Sequence, residues 1–212
     1  MKSRRTTVIA PSWRAVLSYV KSNTTIVGID EVGRGAWAGP VVAAAVVLKP
    51  RTIFKYLRDS KKVTSQRRVA LDRMIRREGL AVGIGWVSPG EVDAHGLSWA
   101  VKESGLRALS MCELETGTYQ VILDGRHNYL KDVHPSVAIV RADAYVVPVA
   151  AASVVAKVAR DRYMAALGHR YPDYGFAAHK GYGTKVHQDA LVKLGATPAH
   201  RFSYAPVTRL TR

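Results

Sequence analysis

Residues 24–48 of this chain have the sequence TTIVGIDEVGRGAWAGPVVAAAVVL. The first eight of them, 24–31, are rich in β-branched residues and predict a strand that ends in the adjacent acids Asp30 and Glu31. The segment Gly33-Arg34-Gly35 predicts a tight turn, because glycine adopts backbone conformations that other residues avoid. The apolar run at residues 40–48 predicts a second, buried strand.

The sequence beyond this stretch alternates between helical and strand patterns. Helices are predicted at residues 64–78, with Gly79 as the stop, and at 95–115, 148–167 and 185–194, the last capped by Thr184. Strands are predicted at 80–87, at 119–123 ending in Asp124-Gly125, and at 137–140 ending near Asp143. A short helix capped by Ser12 is predicted at 13–20. This order predicts an α/β fold whose first strands form an antiparallel meander and whose later strands are parallel.

The charge of the chain favours a polyanionic partner. Its 212 residues carry 32 Lys and Arg against 16 Asp and Glu, a formal net charge of +16. Such a field attracts nucleic acid. No apolar run approaches the roughly 18 residues of a membrane span, so we expect a cytoplasmic protein that does not enter a membrane. The single cysteine, Cys112, excludes a disulfide framework and a cysteine-based zinc site.

Three acids fall at predicted strand ends in a chain that has few acids. Asp30, Asp124 and Asp143 follow different strands, and the carboxyl ends of parallel strands meet at one edge of a sheet. Adjacent side chains on a regular strand point to opposite faces, so Glu31 can join Asp30 only if the strand ends there. Each acid taken alone could cap a loop or form an ion pair, and Asp124-Gly125 is a common turn pair.

A carboxylate cluster with no cysteine suits divalent-metal nuclease chemistry. Two divalent ions can activate a water nucleophile and stabilise the leaving oxygen of a phosphodiester. Carboxylate oxygens are hard ligands that suit Mg²⁺ or Mn²⁺. The acids therefore predict a magnesium or manganese site, although composition and spacing alone do not name an enzyme.

Several longer motifs resemble bacterial type 2 ribonuclease H (ribonuclease HII), in order, from about residue 25 to 207. They are GIDEVGRG at 28–35, AGPVVAAA at 38–45, DSKK at 59–62, LDG at 123–125, ADA at 142–144, AAASVVAKV at 150–158, RDR at 160–162, YP at 171–172, YGF at 174–176, HKGYGT at 179–184, HR at 200–201, and Ser203.

The resemblance implies a ribonuclease H-like mixed sheet flanked by helices, with a C-terminal helical extension. It implies that Asp30, Glu31, Asp124 and Asp143 are the catalytic metal ligands. It implies an endonuclease that cuts the RNA strand of RNA–DNA hybrids, and single ribonucleotides embedded in duplex DNA. Hydrolysis would use two metal ions and leave 5′-phosphate and 3′-hydroxyl ends.

The same resemblance divides the chain and assigns substrate contacts. We expect an appendage of unknown role at 1–23, a catalytic core at 24–170 and a substrate-contacting extension at 171–212, in a monomeric protein. The expected substrate-binding residues are Gly33, Arg34, Gly35, Ser60, Lys61, Lys62 and Tyr182. The chain departs from the family's usual pattern at Ala36-Trp37, where Pro and an aliphatic residue are frequent, and at Arg141, which is often Lys.

The supporting residues also have simpler interpretations. Ser60, Lys61 and Lys62 could form a solvated basic loop rather than a phosphate contact. Lys157 and Asp161 are four residues apart on a helix, so an ion pair is expected and Asp161 is left out of the catalytic set. His179, His187 and His200 could bind phosphate, but packed histidines are commoner.

Three other functions are compatible with parts of this sequence. A junction resolvase would share the core but not the Tyr182 motif. A non-catalytic module that binds hybrids predicts an incomplete set of acids. A basic ribosome-associated protein rarely needs acids at strand ends, and metal-dependent cleavage would exclude it.

Overall fold

The computed structural model describes residues 11–13, 24–55, 57, 64–115 and 117–211. Ser60, Lys61 and Lys62 lie outside the described residues, as does most of the helix predicted at 13–20. The expected phosphate contact of the three residues therefore stays a prediction. Thr64 does begin the following helix, because its side-chain oxygen accepts a hydrogen bond from Arg67 N at 3.4 Å.

One mixed sheet organises the described chain. Its strands are β1 (Thr25–Val32), β2 (Val41–Leu48), β3 (Gly79–Val87), β4 (Tyr119–Asp124) and β5 (Ser136–Ile139), in the spatial order β3-β2-β1-β4-β5. β1 pairs antiparallel with β2, and β2 with β3, whereas β1 and β5 both run parallel to β4. The predicted meander followed by parallel strands is confirmed.

Helices cover both faces of this sheet and continue beyond it. They are α1 (Ser65–Glu78), α2 (Pro89–His95), α3 (Leu97–Ser110), α4 (Ala142–Tyr145), α5 (Val147–Arg170), a 3₁₀ turn (Pro172–Tyr174), α6 (Phe176–His179), α7 (Lys185–Leu194) and α8 (Ala205–Leu210). The long α5 and the capped α7 match their predictions. The predicted ribonuclease H-like α/β class, with a C-terminal helical extension, is confirmed.

The helix predicted at 95–115 is confirmed as α3, Leu97–Ser110, but a first helix, α2 at Pro89–His95, precedes it and was not predicted. Ser88 starts the first: its hydroxyl oxygen accepts from Glu91 N at 3.3 Å while a Glu91 carboxylate oxygen accepts from Ser88 N at 2.8 Å. Gly96, with φ 82°, then separates α2 from α3. This reciprocal cap is visible in the sequence as a serine three residues before a glutamate.

The position of β2 in the sheet explains why its sequence is apolar throughout. Every residue of the strand is buried. Ala44, Val46 and Leu48 belong to the core beneath α1 and α5, whereas Ala43, Ala45 and Val47 belong to the core beneath α3. The strand is thus covered on both faces, which removes the polar alternation of a half-exposed strand.

The C-terminal helices pack on the end of α5. Ala38, Met164, Tyr174, Phe176 and Ala190 form one buried cluster that joins the loop after β1, helix α5 and the C-terminal segment. The division at residue 170 stays a prediction. No helix within the described ranges is both long and apolar enough to cross a membrane.

Helix α5 approaches the sheet closely at Gly28. A Cβ atom built on Gly28 would lie 2.2 Å from the carbonyl carbon of Pro148 and 2.3 Å from Val149 N. The absence of a side chain therefore lets the start of α5 lie directly against β1, two residues before Asp30.

We expect Gly28→Ala to destabilise the protein, because neither backbone can move away without disturbing the core. The free energy of unfolding should fall by about 3 kcal/mol or more, at the upper end of the usual cost of overpacking. Urea denaturation measures it. The control is Gly90→Ala in α2, where an added Cβ meets nothing within 4 Å. Equal stability of the two variants would contradict the close approach.

Candidate active site

Three acids come together from three separate elements. Asp124 is the last residue of β4, Asp30 lies on the neighbouring β1, and Asp143 lies in the short helix α4. The register pairs Ile29 with Leu123, so the next residues along the two parallel strands, Asp30 and Asp124, lie side by side. As predicted, Asp143 lies shortly after the end of β5, which stops at Ile139. Arg141, in the left-handed conformation with φ 60°, turns the chain into α4.

The carboxylates of Asp30, Asp124 and Asp143 form one compact group. One oxygen from each lies within 4.8 Å of the others. Asp30 and Asp143 are each only 7% exposed. Carboxylates this close repel one another when all are ionised.

Glu31 lies beside this group but not in it. β1 ends at Val32, one residue beyond its predicted end at Glu31. One Glu31 carboxylate oxygen, Oε1, pairs with Arg34 Nη1 at 3.0 Å. The other, Oε2, is buried and has no hydrogen-bond partner among the described residues. Glu31 thus has an unused oxygen at the edge of the site.

Burial and crowding alter the acidity of two of these groups. Burial, followed by the charge of Glu31, raises the pKa of Asp30 to about 8, and a hydrogen bond with Ser153 opposes the rise. Burial also raises the pKa of Glu31, and Arg34 opposes that rise. A carboxylate set that resists ionisation on its own is stabilised when a cation enters and compensates the negative charges.

The donor set fits a divalent metal ion. All three grouped ligands are hard carboxylate oxygens, the type that Mg²⁺ and Mn²⁺ prefer. Their mutual repulsion and the unpartnered Oε2 of Glu31 both favour a cation at this point. Asp30, Asp124 and Asp143 are close enough together to hold one.

Asp30, Glu31 and Asp124 line a partly open cavity of about 350 Å³. Its other lining residues include Arg68 from α1 and Ser153 and Lys157 from α5. The sequence interpretation gave these residues no part in the site. The helical spacing of Ser153 and Lys157 was a usable signal, because residues four apart share a helix face. As expected, Lys157 pairs with Asp161, at 2.7 Å.

The expected substrate-binding residues before β2 belong to the glycine loop, residues 33–40. Gly33 has φ 93°, and a Cβ there would lie 2.3 Å from Arg160 Nε. A Cβ on Gly35 would meet nothing within 4 Å, so this glycine faces open space. The backbone oxygen of Arg34 accepts from Arg201 Nη1 at 3.0 Å and from the Tyr204 hydroxyl at 2.5 Å.

Tyr182 belongs to the tyrosine loop, residues 180–184, which lies against the glycine loop. Its side chain is 37% exposed, as the flanking glycines predicted, and the guanidinium of Arg160 lies 5.6 Å from its ring centre. Trp37 N donates to Gly181 O at 2.8 Å. A Cβ on Gly183 would lie 2.1 Å from the Trp37 ring, so the unusual Trp37 fills the contact between the loops.

The Arg160 side chain connects the glycine loop to the tyrosine loop. This fully buried side chain donates from Nε to Pro40 O at 2.9 Å, from Nη2 to Ala38 O at 3.1 Å and from Nη1 to Lys180 O at 2.9 Å. The carbonyl oxygens therefore surround the buried charge. Three bonds from one guanidinium fix the spacing of the loops.

The basic helix α1 is largely solvated. Arg67, Arg73, Arg76 and Arg77 are exposed, and Arg76 also pairs with the buried Asp72 at 2.9 Å. Arg68, on the same helix, lines the acid cavity. His187 and His200 are buried and packed, which agrees with the simpler interpretation of the histidines.

Comparison with known proteins assigns the chain to a family. The family model for ribonuclease HII matches residues 27–207. Ribonuclease HII of Dichelobacter nodosus is 43% identical over 188 residues, which cover 88% of this chain and 97% of that protein. Ribonuclease HII of Geobacillus kaustophilus is 41% identical over 194 residues, which cover 92% of this chain and 73% of that protein.

Solved structures share the fold at lower sequence identity. Ribonuclease H2 of Pyrococcus horikoshii OT3 has a TM-score of 0.75 and 24% identity, covering 89% of this chain and 97% of that one. Bst-RNase HIII, solved in complex with Mn²⁺, has a TM-score of 0.70 and 18% identity, covering 89% and 69%.

The family match spans the grouped acids, both loops and the C-terminal helices. The set of acids is not broken, as it would be in a non-catalytic hybrid-binding module. This chain belongs to the ribonuclease HII family and is a metal-dependent endoribonuclease that acts on the RNA strand of RNA–DNA hybrids.

Proposed function

We propose that the enzyme also cuts at single ribonucleotides embedded in duplex DNA. Hydrolysis by two metal ions, with Asp30, Glu31, Asp124 and Asp143 as ligands, would leave 5′-phosphate and 3′-hydroxyl ends. The observation that carries the metal site is the group of three carboxylates within 4.8 Å. Glu31 joins the ligand set in this proposal through its unpartnered oxygen.

Mg²⁺ or Mn²⁺ would supply an activated water nucleophile and stabilise charge on the leaving oxygen. The protein's own part is positioning. Ser153 holds Asp30 by a hydrogen bond. Arg68 and Lys157 line the same cavity and can attract the substrate phosphate toward the acids.

We propose that the glycine loop and the tyrosine loop, beside the acids, recognise the ribonucleotide. The 2′-hydroxyl can donate and accept a hydrogen bond, and it is what distinguishes RNA from DNA at one position. Gly35 faces open space and leaves the backbone accessible at close range, whereas Gly33, with φ 93°, packs against Arg160 and sets the shape of the loop. The exposed ring of Tyr182 can lie against the neighbouring sugar, with Arg34 beside the adjacent phosphate.

Further substrate contact is proposed for Ser60, Lys61 and Lys62, supported by the motif at 59–62 and by the net charge of +16. We also propose a monomer located in the cytoplasm. The substrates in this proposal are hybrid duplexes and ribonucleotide-containing DNA, both polyanions that a basic surface attracts.

Asp124→Asn should abolish most turnover while duplex binding stays near normal, because it removes a charged ligand and keeps the side-chain shape. We expect kcat to fall by at least about a hundredfold, on the order of 2.7 kcal/mol of transition-state stabilisation. Single-turnover cleavage of a hybrid measures it, with binding measured separately in EDTA. Asp189→Asn is the matched control, since Asp189 is exposed and pairs with Lys185 at 2.6 Å. Turnover above about a tenth of wild type would remove Asp124 from the catalytic set.

Tyr182→Ala should slow cleavage at a lone ribonucleotide more than it weakens duplex binding. An interaction made mainly in the transition state lowers kcat when it is lost, here by about tenfold or more. Gly35→Val should be more damaging, because its side chain enters the open space proposed for the sugar. The assay is cleavage of a DNA duplex with one ribonucleotide. Tyr163→Ala is the control, because Tyr163 is 42% exposed and lies on α5. Cleavage by Tyr182→Ala at the wild-type rate would show that the ring has only a structural role.

A further inference from the structure

Two buried histidines connect the C-terminal segment to the tyrosine loop. His187 on α7 and His200 after it are both fully buried, and their Nε2 atoms lie 3.0 Å apart. His187 Nδ1 lies 3.0 Å from Tyr182 O, and His200 Nδ1 lies 2.9 Å from Thr197 N. The two rings thus join the peptide of Thr197 to that of Tyr182.

The partners at each end fix which nitrogens carry protons. Tyr182 O can only accept, so His187 Nδ1 must carry a proton. Thr197 N–H can only donate, so His200 Nδ1 must be bare. A neutral His187 then has a bare Nε2, which accepts from the protonated Nε2 of His200. The contact of 3.3 Å between His200 Nδ1 and Thr197 O is longer and does not compete.

Charging either ring would break this arrangement. A proton added to His187 Nε2 would face the Nε2–H of His200 at 3.0 Å. Burial lowers the pKa of both His187 and His200 to about 4, so both are neutral at pH 7. Aromatic neighbours enclose the pair: His187 stacks with His179 at 4.5 Å, and His200 packs against Tyr174 at 5.3 Å.

At its Thr197–His200 end, this connection is joined to the glycine loop. His200 forms a backbone bridge with Ala38, and Arg201 N donates to Trp37 O at 2.8 Å. At its other end, His187 donates a hydrogen bond to the backbone oxygen of Tyr182 itself. The histidines therefore complete a closed path of contacts from one loop to the other.

We propose that a fixed relay of neutral imidazoles, Thr197 N–H to His200 to His187 to Tyr182 O, sets the position of Tyr182 for ribonucleotide recognition. His187 and His200 are positioning residues in this relay, because neither lines the acid cavity or reaches the substrate side of the loops. The inference rests on the proposed function of Tyr182 and extends it to the residues that hold it.

The test is a double-mutant cycle on the whole enzyme. His200→Phe keeps a ring in the pocket but cannot donate to His187. It should lower kcat on a single-ribonucleotide duplex by about fivefold to tenfold and leave duplex affinity in EDTA within about twofold. In a Tyr182→Ala background the same change should lower kcat by less than about twofold, because coupled residues are not additive. An equal fall in both backgrounds overturns the relay's role.

Two further measurements separate positioning from general stability. His200→Gln places an amide donor near the original Nε2 and should keep at least about half of the wild-type kcat, which a purely steric role does not predict. If His200→Phe fails to fold, His187→Phe, which removes the same bond from its other side, takes its place in the cycle. His169→Phe, at an exposed position on α5, is the matched control and should cleave at the wild-type rate.

Long-range ¹H–¹⁵N spectra report the tautomers directly. We expect protonation of His187 at Nδ1 and of His200 at Nε2, and the opposite tautomers would overturn the relay. If Tyr182→Ala cleaves as the wild type does, the proposed function fails, and the functional part of the inference fails with it. If Tyr182→Ala behaves as proposed but the two changes are additive, the relay alone is wrong.

Discussion

Three carboxylates held within 4.8 Å of one another are the constraint on which the rest of this structure depends. Burial, and after it the charges of Glu31, Asp124 and Asp143, raises the pKa of Asp30, so the ionised carboxylates are costly to hold together. The fold has to hold them against this repulsion until a cation enters. Parallel pairing of β1 with β4 fixes Asp30 beside Asp124, and the left-handed turn at Arg141 brings in Asp143.

Helix α5 links this metal site to the two recognition loops. Its N-terminal end packs against Gly28 without an intervening side chain. Its second turn supplies Ser153 to Asp30, and about two turns later Arg160 bonds to both loops. A single rigid helix therefore sets the distance between the acids and the site proposed for the ribose. The net charge of +16 brings the polyanion near, but it does not supply this geometry.

Much of this architecture could be predicted from the sequence, because the long apolar and periodic segments determine their own structure. β2 and α5 are examples, and the three aspartates stood out because they follow predicted strands. Short elements such as α6 and α8 were not predicted, since four to six residues contain too little periodicity. The seven-residue α2 was missed as well, although Ser88 and Glu91 mark its start.

The separation of Glu31 from the aspartate group depends on how far β1 extends, and the sequence does not settle that. The pairing of His187 with His200 is a tertiary contact across a loop, and no local pattern announces it. The position of Asp143 likewise depends on one left-handed residue, Arg141. Local sequence rules fail at these points because distant packing selects the conformation.

The central claim is that the grouped acids act through a divalent ion on a nucleic acid chosen by its ribose. The most direct measurement compares a DNA duplex containing one ribonucleotide with the identical all-DNA duplex, with Mg²⁺, with Mn²⁺ and with EDTA. We expect cleavage only of the ribonucleotide-containing strand, only with a divalent ion, leaving a 5′-phosphate and a 3′-hydroxyl. Cleavage in EDTA, or equal cleavage of the all-DNA duplex, would contradict it.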